Sequence, residues 1–75
     1  MMAADDYKEG FGVVDVDGLD MRTVSPTRRA AIVNWLVVSA NRVVSIYTSD
    51  QQIDALWDAH RGDAMVVPVR VYVQG

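Results

Sequence analysis

Ten carboxylates and a single histidine are the side chains of this 75-residue sequence best suited to chemistry, and the carboxylates gather mainly in two groups. Asp50, Asp54 and Asp58 recur every fourth residue, which lines them along one face of a helix. At the helical rise they stand about 6 Å apart along the axis, close to the repeat of phosphates on a nucleic-acid strand. Such a strip is either a solvated polar face or a phosphate-like ladder for a basic groove. Its like charges cost ~0.2–0.5 kcal/mol per pair, part of which Asp50 recovers at the helix N-terminus. Asp15, Asp17 and Asp20 form the second group, around a turn. Three carboxylates there raise the question of a divalent cation, but the ligand spacing of a calcium loop is missing, so no metal is expected. A basic partner, or Arg22 close by, relieves their repulsion more simply.

Catalysis finds little support. His60 falls on the apolar stripe of a helix, where a structural, core-facing role is expected. The sequence has no cysteine, no pair of histidines at metal-binding spacing, no nucleophile elbow and no phosphate-cradling glycine loop. Gly10, Gly12 and Gly18 flank a strand and a turn without the helix start that a nucleotide fingerprint needs. The expectation is a protein that is not an enzyme and carries no cofactor.

The composition fits a single small domain. Apolar residues make up 51% and charged residues 23%, a globular balance. A chain this short buries only ~60% of its unfolded surface, so its own core is thin. The uncharged run from Ala30 to Asn41 is too short to span a bilayer, and neither a membrane segment nor a signal peptide is expected. The net charge of −3 conceals an asymmetry. Residues 1–20 hold six acids against Lys8, whereas residues 21–75 hold six arginines against four aspartates. An acidic chain repels phosphate backbones, which disfavours direct nucleic-acid binding and favours a protein with a basic surface as partner.

The elements that must position these residues follow from pattern. Residues 1–9 read as a flexible acidic lead-in to a single domain over 10–75. Asp17-Gly18 predicts a two-residue type I′ hairpin turn, which sets Val16 opposite Leu19, Asp15 opposite Asp20 and Val14 opposite Met21. Val14, Val16, Leu19 and Met21 then share one apolar face. Ser25 is the expected N-cap of a first helix with Pro26 at its first position, and Asn41 the left-handed residue that ends it. Val43–Tyr47 reads as a third strand. Ser49 and Gln52 form a capping box for a second helix, which Gly62 stops. Its stripe of Ile53, Leu56, Trp57 and His60 faces the core. Met65, Val67, Val69, Val71 and Val73 alternate along a last strand, which Pro68 places at a sheet edge unless its N side faces outward. The fold class is α+β, a two-layer sandwich in the order ββαβαβ, with ββααβ as the alternative should residues 43–47 be coil.

The first helix is apolar on two sides. Ile32, Val33, Leu36, Val37 and Ala40 suit a sheet, while Ala31, Trp35 and Val38, with Arg28 at their end, need another cover. Trp57 of the second helix is one cover. A second copy or a partner is the other, and the thin core favours a homodimer through Arg28, Ala31, Trp35 and Val38. Arg28 and Arg29 oppose the dipole of the helix they begin, so a carboxylate from the acidic hairpin is expected beside each.

The run from Arg22 through Val38, continued by Thr48–Trp57 and the valine-rich end, resembles short accessory proteins encoded by bacteriophages and prophages. The resemblance implies a class: small acidic proteins, anti-CRISPR proteins among them, that bind one host protein in the bacterial cytoplasm and block it. Under that reading Asp50, Asp54 and Asp58, with Asp15, Asp17 and Asp20 as a second patch, contact a basic surface of a host defence or nucleic-acid-handling protein. Two alternatives belong to other classes. One is a virion or assembly protein that oligomerises through its apolar helix face. The other is a nucleic-acid-binding regulator using Arg22, Arg28, Arg29 and Arg70.

Overall fold

A computed structural model describes residues 7–72. Part of the acidic lead-in, with Asp5 and Asp6, and Val73 of the last strand's expected alternation lie outside the described residues. Strands β1 (Tyr7–Asp15) and β2 (Gly18–Ser25) precede helices α1 (Arg28–Val38) and α2 (Asp50–His60), and strand β3 (Met65–Tyr72) ends the described chain. The class is α+β in the order ββααβ. The antiparallel sheet runs β2-β1-β3, so β3 is the edge strand that Pro68 required. β1 begins at Tyr7, and residues 7–9 belong to the sheet instead of the lead-in.

The core lies between the helices and one face of the sheet. Val13, Ala31, Ile32, Trp35, Leu36, Ile53, Trp57 and Ala64 are buried together, with Phe11, Val33, Ala40, Val44, Leu56 and Val66 packed around them. In α1 the buried arc is Ala31, Ile32, Trp35 and Leu36. It spans part of both apolar stripes because two neighbours share the helix, the sheet on one side and α2 on the other. Trp35 and Trp57 meet edge to face, ring centroids 5.4 Å apart. The indole N–H of Trp35 is buried and finds no acceptor among the described residues. Ala31 and Trp35 are therefore core residues and not the dimer surface expected of them, while Arg28 and Val38 remain exposed.

Val43–Tyr47 is not a strand. β3 pairs with β1 from Tyr7↔Tyr72 to Val14↔Met65 and so takes the sheet position a third strand needed. The hydroxyls of Ser45 and Thr48 close a local turn there instead.

The hairpin turns one residue earlier than expected. Asp15 pairs with Gly18 and Val14 with Leu19, leaving Val16 and Asp17 as the corner. The Asp15 carboxylate accepts the Asp17 N–H at 2.9 Å, which fixes that corner. Val16 and Asp17 both keep negative φ, and only Gly18, at +98°, is left-handed. That is a type I turn closed by a glycine bulge and not type I′. Val16 and Met21 consequently point into solvent, whereas Val14 and Leu19 do share a face.

α1 starts later than Ser25-Pro26 suggests. Ser25 stays extended before the proline and pairs with Phe11, and its buried hydroxyl donates to Thr23 O and accepts from Asn34. Thr27 is the N-cap, its hydroxyl accepting the Ala30 N–H at 3.1 Å. Asn41 has φ of 55° beyond the helix end, as expected. α2 carries both reciprocal bonds of the Ser49–Gln52 capping box, and Gly62 (φ 55°) follows its end. His60, in its last turn, is exposed and not core-facing.

Candidate functional site

Three sets of side chains qualify as sites, and their chemistry differs. The hairpin carboxylates come first. Between the pairs Val13↔Asp20 and Phe11↔Ser25, Met21, Arg22, Thr23 and Val24 stand opposite Gly12 alone, so β2 carries a large special bulge. Asp20 holds that bulge. Its Oδ1 accepts the backbone N–H and Nε–H of Arg22, both at 3.0 Å, and its Oδ2 accepts Arg22 Nη2 at 2.8 Å and the Ser39 hydroxyl at 3.1 Å. Thr23 completes the bulge, donating its hydroxyl to Asp20 O at 2.6 Å and accepting the buried Val13 N–H at 2.8 Å. The side chain of Asp20 is 13% exposed and serves the fold. The hydrogen bond from the Arg22 side chain, opposed by burial and aided by the Arg22 N–H and the Ser39 hydroxyl, holds its carboxyl down at about 2.

A pH dependence follows from that lowered value. A carboxyl whose folded value lies below its unfolded ~3.9 adds stability above that pH, and the contribution fades as pH falls towards 2. Asp20→Asn should lower Tm at neutral pH by about 5 °C and should flatten the fall of Tm between about pH 4 and 2. Thermal melts of both proteins across that range check it, and parallel curves would refute it.

The Asp50, Asp54 and Asp58 strip is formed as the spacing required, on the outer face of α2, with all three residues exposed. Arg29 of α1 lies beside it, Nε 3.6 Å from Asp50 Oδ1 and Nη2 3.6 Å from Asp54 Oδ1. The carboxylates that answer Arg29 thus come from α2 and not from the hairpin. At 3.6 Å these are loose ion pairs worth a few tenths of a kcal/mol each, at about the level of an exposed helix pair. They soften two of the three negative charges, and among the described residues no cation pairs with Asp58.

The third set was hidden in the sequence by the strand reading of residues 43–47. Thr48 N–H bonds Ser45 O at 3.0 Å, closing a turn with Ile46 and Tyr47 at its corners. The Thr48 hydroxyl accepts the Ser45 N–H at 3.0 Å, and the Ser45 hydroxyl accepts the Tyr47 N–H at 3.1 Å. This small frame holds its corner residues outward: Ile46 is 91% and Tyr47 88% exposed, with Val43 at 92% just before them. Scattered single apolar residues on a surface are ordinary, but three within five residues on a hydrogen-bonded turn are a patch. Val43 also lines a shallow groove with Thr48, Gln52, Ala55 and Leu56 of the adjoining α2 segment. The pairing of serine and threonine three residues apart was the available signal, and β-branched neighbours masked it.

The arginines assigned to a nucleic-acid surface are dispersed. Arg22 is bound to Asp20, Arg29 lies beside α2, and Arg70 stacks over Tyr7 at 4.7 Å from the ring centroid. Among the described residues no cluster of three or more metal-ligating side chains forms, and no helix is long and apolar enough to cross a membrane. No protein-family model matches this chain, and neither does any curated protein or solved structure.

Proposed function

We propose that this protein is a non-enzymatic binder that docks on a protein partner and excludes that partner's own ligand, as the phage-type inhibitor class would. The observation that carries the reading is the Ser45–Thr48 turn with Val43, Ile46 and Tyr47 held in solvent. A turn already fixed by three hydrogen bonds loses little further freedom on docking, so more of its contact energy becomes affinity. Tyrosine and large aliphatic side chains supply apolar anchors, and Asp50, Asp54 and Asp58 on the following helix supply a charged rim. The partner surface that fits is an apolar pocket with basic residues beside it, on a host defence or nucleic-acid-handling protein of a bacterial cell. The anti-CRISPR-like role expected from the resemblance to phage proteins is the specific form of this proposal.

Binding should depend on the turn. A variant with Val43, Ile46 and Tyr47 all changed to serine keeps the fold, because these residues contribute little to the core. It should lose at least about 100-fold in affinity for a partner captured by the wild type and purified, measured by calorimetry. Undiminished affinity would remove the turn from the function. A shift of short duplex DNA at low salt by the wild type would instead favour the nucleic-acid regulator.

A further inference from the structure

Three of the four valines of β3, Val67, Val69 and Val71, face away from the helices. Phe11 and Val13 of β1 face the core together with Val66, so their neighbours in register point to the opposite side of the sheet. That far face carries Met65, Val67, Val69 and Val71 from β3, joined by Leu19 and Val24 of β2. Gly12 sits beneath them: a Cβ there would come within 2.8 Å of Leu19 Cδ1 and 3.4 Å of Val24 Cγ2. The most regular apolar alternation in the sequence therefore covers the side of the sheet that has no helix.

We infer that this face is the interface of a homodimer, two sheets packed back to back about a two-fold axis with the helices outermost. Two observations favour a second copy as the occupant. The first is charge. Lys8, at the rim, is the only ionised side chain that the strand registers place on this face among the described residues. Two copies of an acidic chain can therefore meet here without opposing carboxylates. The second is the state of the sheet edges. The bulge interrupts β2, and Pro68 removes a donor from β3, so growth by strand addition is blocked while face-to-face packing stays open. Sheets in such a sandwich lie about 10 Å apart, a gap that interdigitated valine and leucine side chains fill.

The dimer face is separate from the Ser45–Thr48 turn, so the two proposals stand or fall independently. Sedimentation equilibrium of the full chain over the micromolar range should give twice the monomer mass of 8.3 kDa. Val69→Lys should weaken association roughly 100-fold or more, because each copy would carry an unpaired ammonium into an apolar interface. Val71→Lys, at a position 43% exposed, guards against misfolding and should also give monomer with an unchanged far-ultraviolet dichroism spectrum. The serine variant of Val43, Ile46 and Tyr47 should remain dimeric. A wild type that stays monomeric throughout, a dimer that survives both lysine substitutions, or a dimer abolished by the serine variant would each overturn the assignment.

Discussion

Trp57→Ala is expected to destabilise the protein by about 3–5 kcal/mol, the range for truncating a large buried aromatic. Trp57 is 5% exposed and packs edge to face with Trp35, so its loss empties the space between the helices and uncovers the flank of α1. A chain of 75 residues has about 4–11 kcal/mol of net stability, so the variant should be substantially unfolded at 37 °C or melt far below the wild type. Urea titration followed by tryptophan fluorescence measures the loss. A cost under about 1 kcal/mol would mean that α2 is not the cover of α1, and the apolar stripe through Trp35 would again need an external partner.

Thr23→Val should cost about 1–3 kcal/mol although it preserves shape, because it strips the hydroxyl from the centre of the bulge. Thr23 is fully buried, and its Oγ1 is the acceptor for the Val13 N–H and the donor to Asp20 O. With valine there, a backbone donor in the core has no partner, a penalty that an isosteric methyl cannot offset. Thr23→Ser keeps both bonds and loses only a methyl group, so it should cost about 0.8 kcal/mol. Denaturant midpoints for the pair give the difference. Amide exchange adds a local readout: the Val13 N–H should lose protection in the valine variant and retain it with serine. Equal losses in the two variants would show that packing and not hydrogen bonding governs the bulge.

The signals read correctly from sequence were those whose cause is local. The Ser49–Gln52 box, Gly62 and Asn41 act within one turn of backbone, and each does in the structure what its chemistry requires. Pro68 placed β3 at an edge because a missing N–H has the same effect in any fold. Errors arose where two local signals competed or where a distant partner decided. Asp15 captured the backbone of Asp17 and drew the turn away from Asp17-Gly18, and Ser25 was held in the sheet by Phe11 before it could cap a helix. Nothing within Val43–Tyr47 reports that β3 occupies its place beside β1. The face of a strand pair is also undetermined by alternation alone: Met65, Val67, Val69 and Val71 share a side as expected, but tertiary packing decides whether helices lie over it. Of the candidate sites, the aspartate strip was legible in full. Arg22 lies beside Asp20 as the simpler reading of the hairpin carboxylates had it, but the bulge and the Ser39 contact that bury Asp20 were not foreseen, and the exposed turn was missed because its residue types are those of a strand.

Pro68 and Arg70 carry a consequence for how this chain behaves when crowded. Met65–Tyr72 is dense in β-branched residues, the composition from which cross-β fibrils are built. Fibril growth needs six or seven consecutive residues that can stack without a charge or a missing amide, and Pro68 and Arg70 divide the segment into shorter pieces. A freshly synthesised copy can thus display a valine-rich ribbon before folding is complete without templating its neighbours into an irreversible deposit.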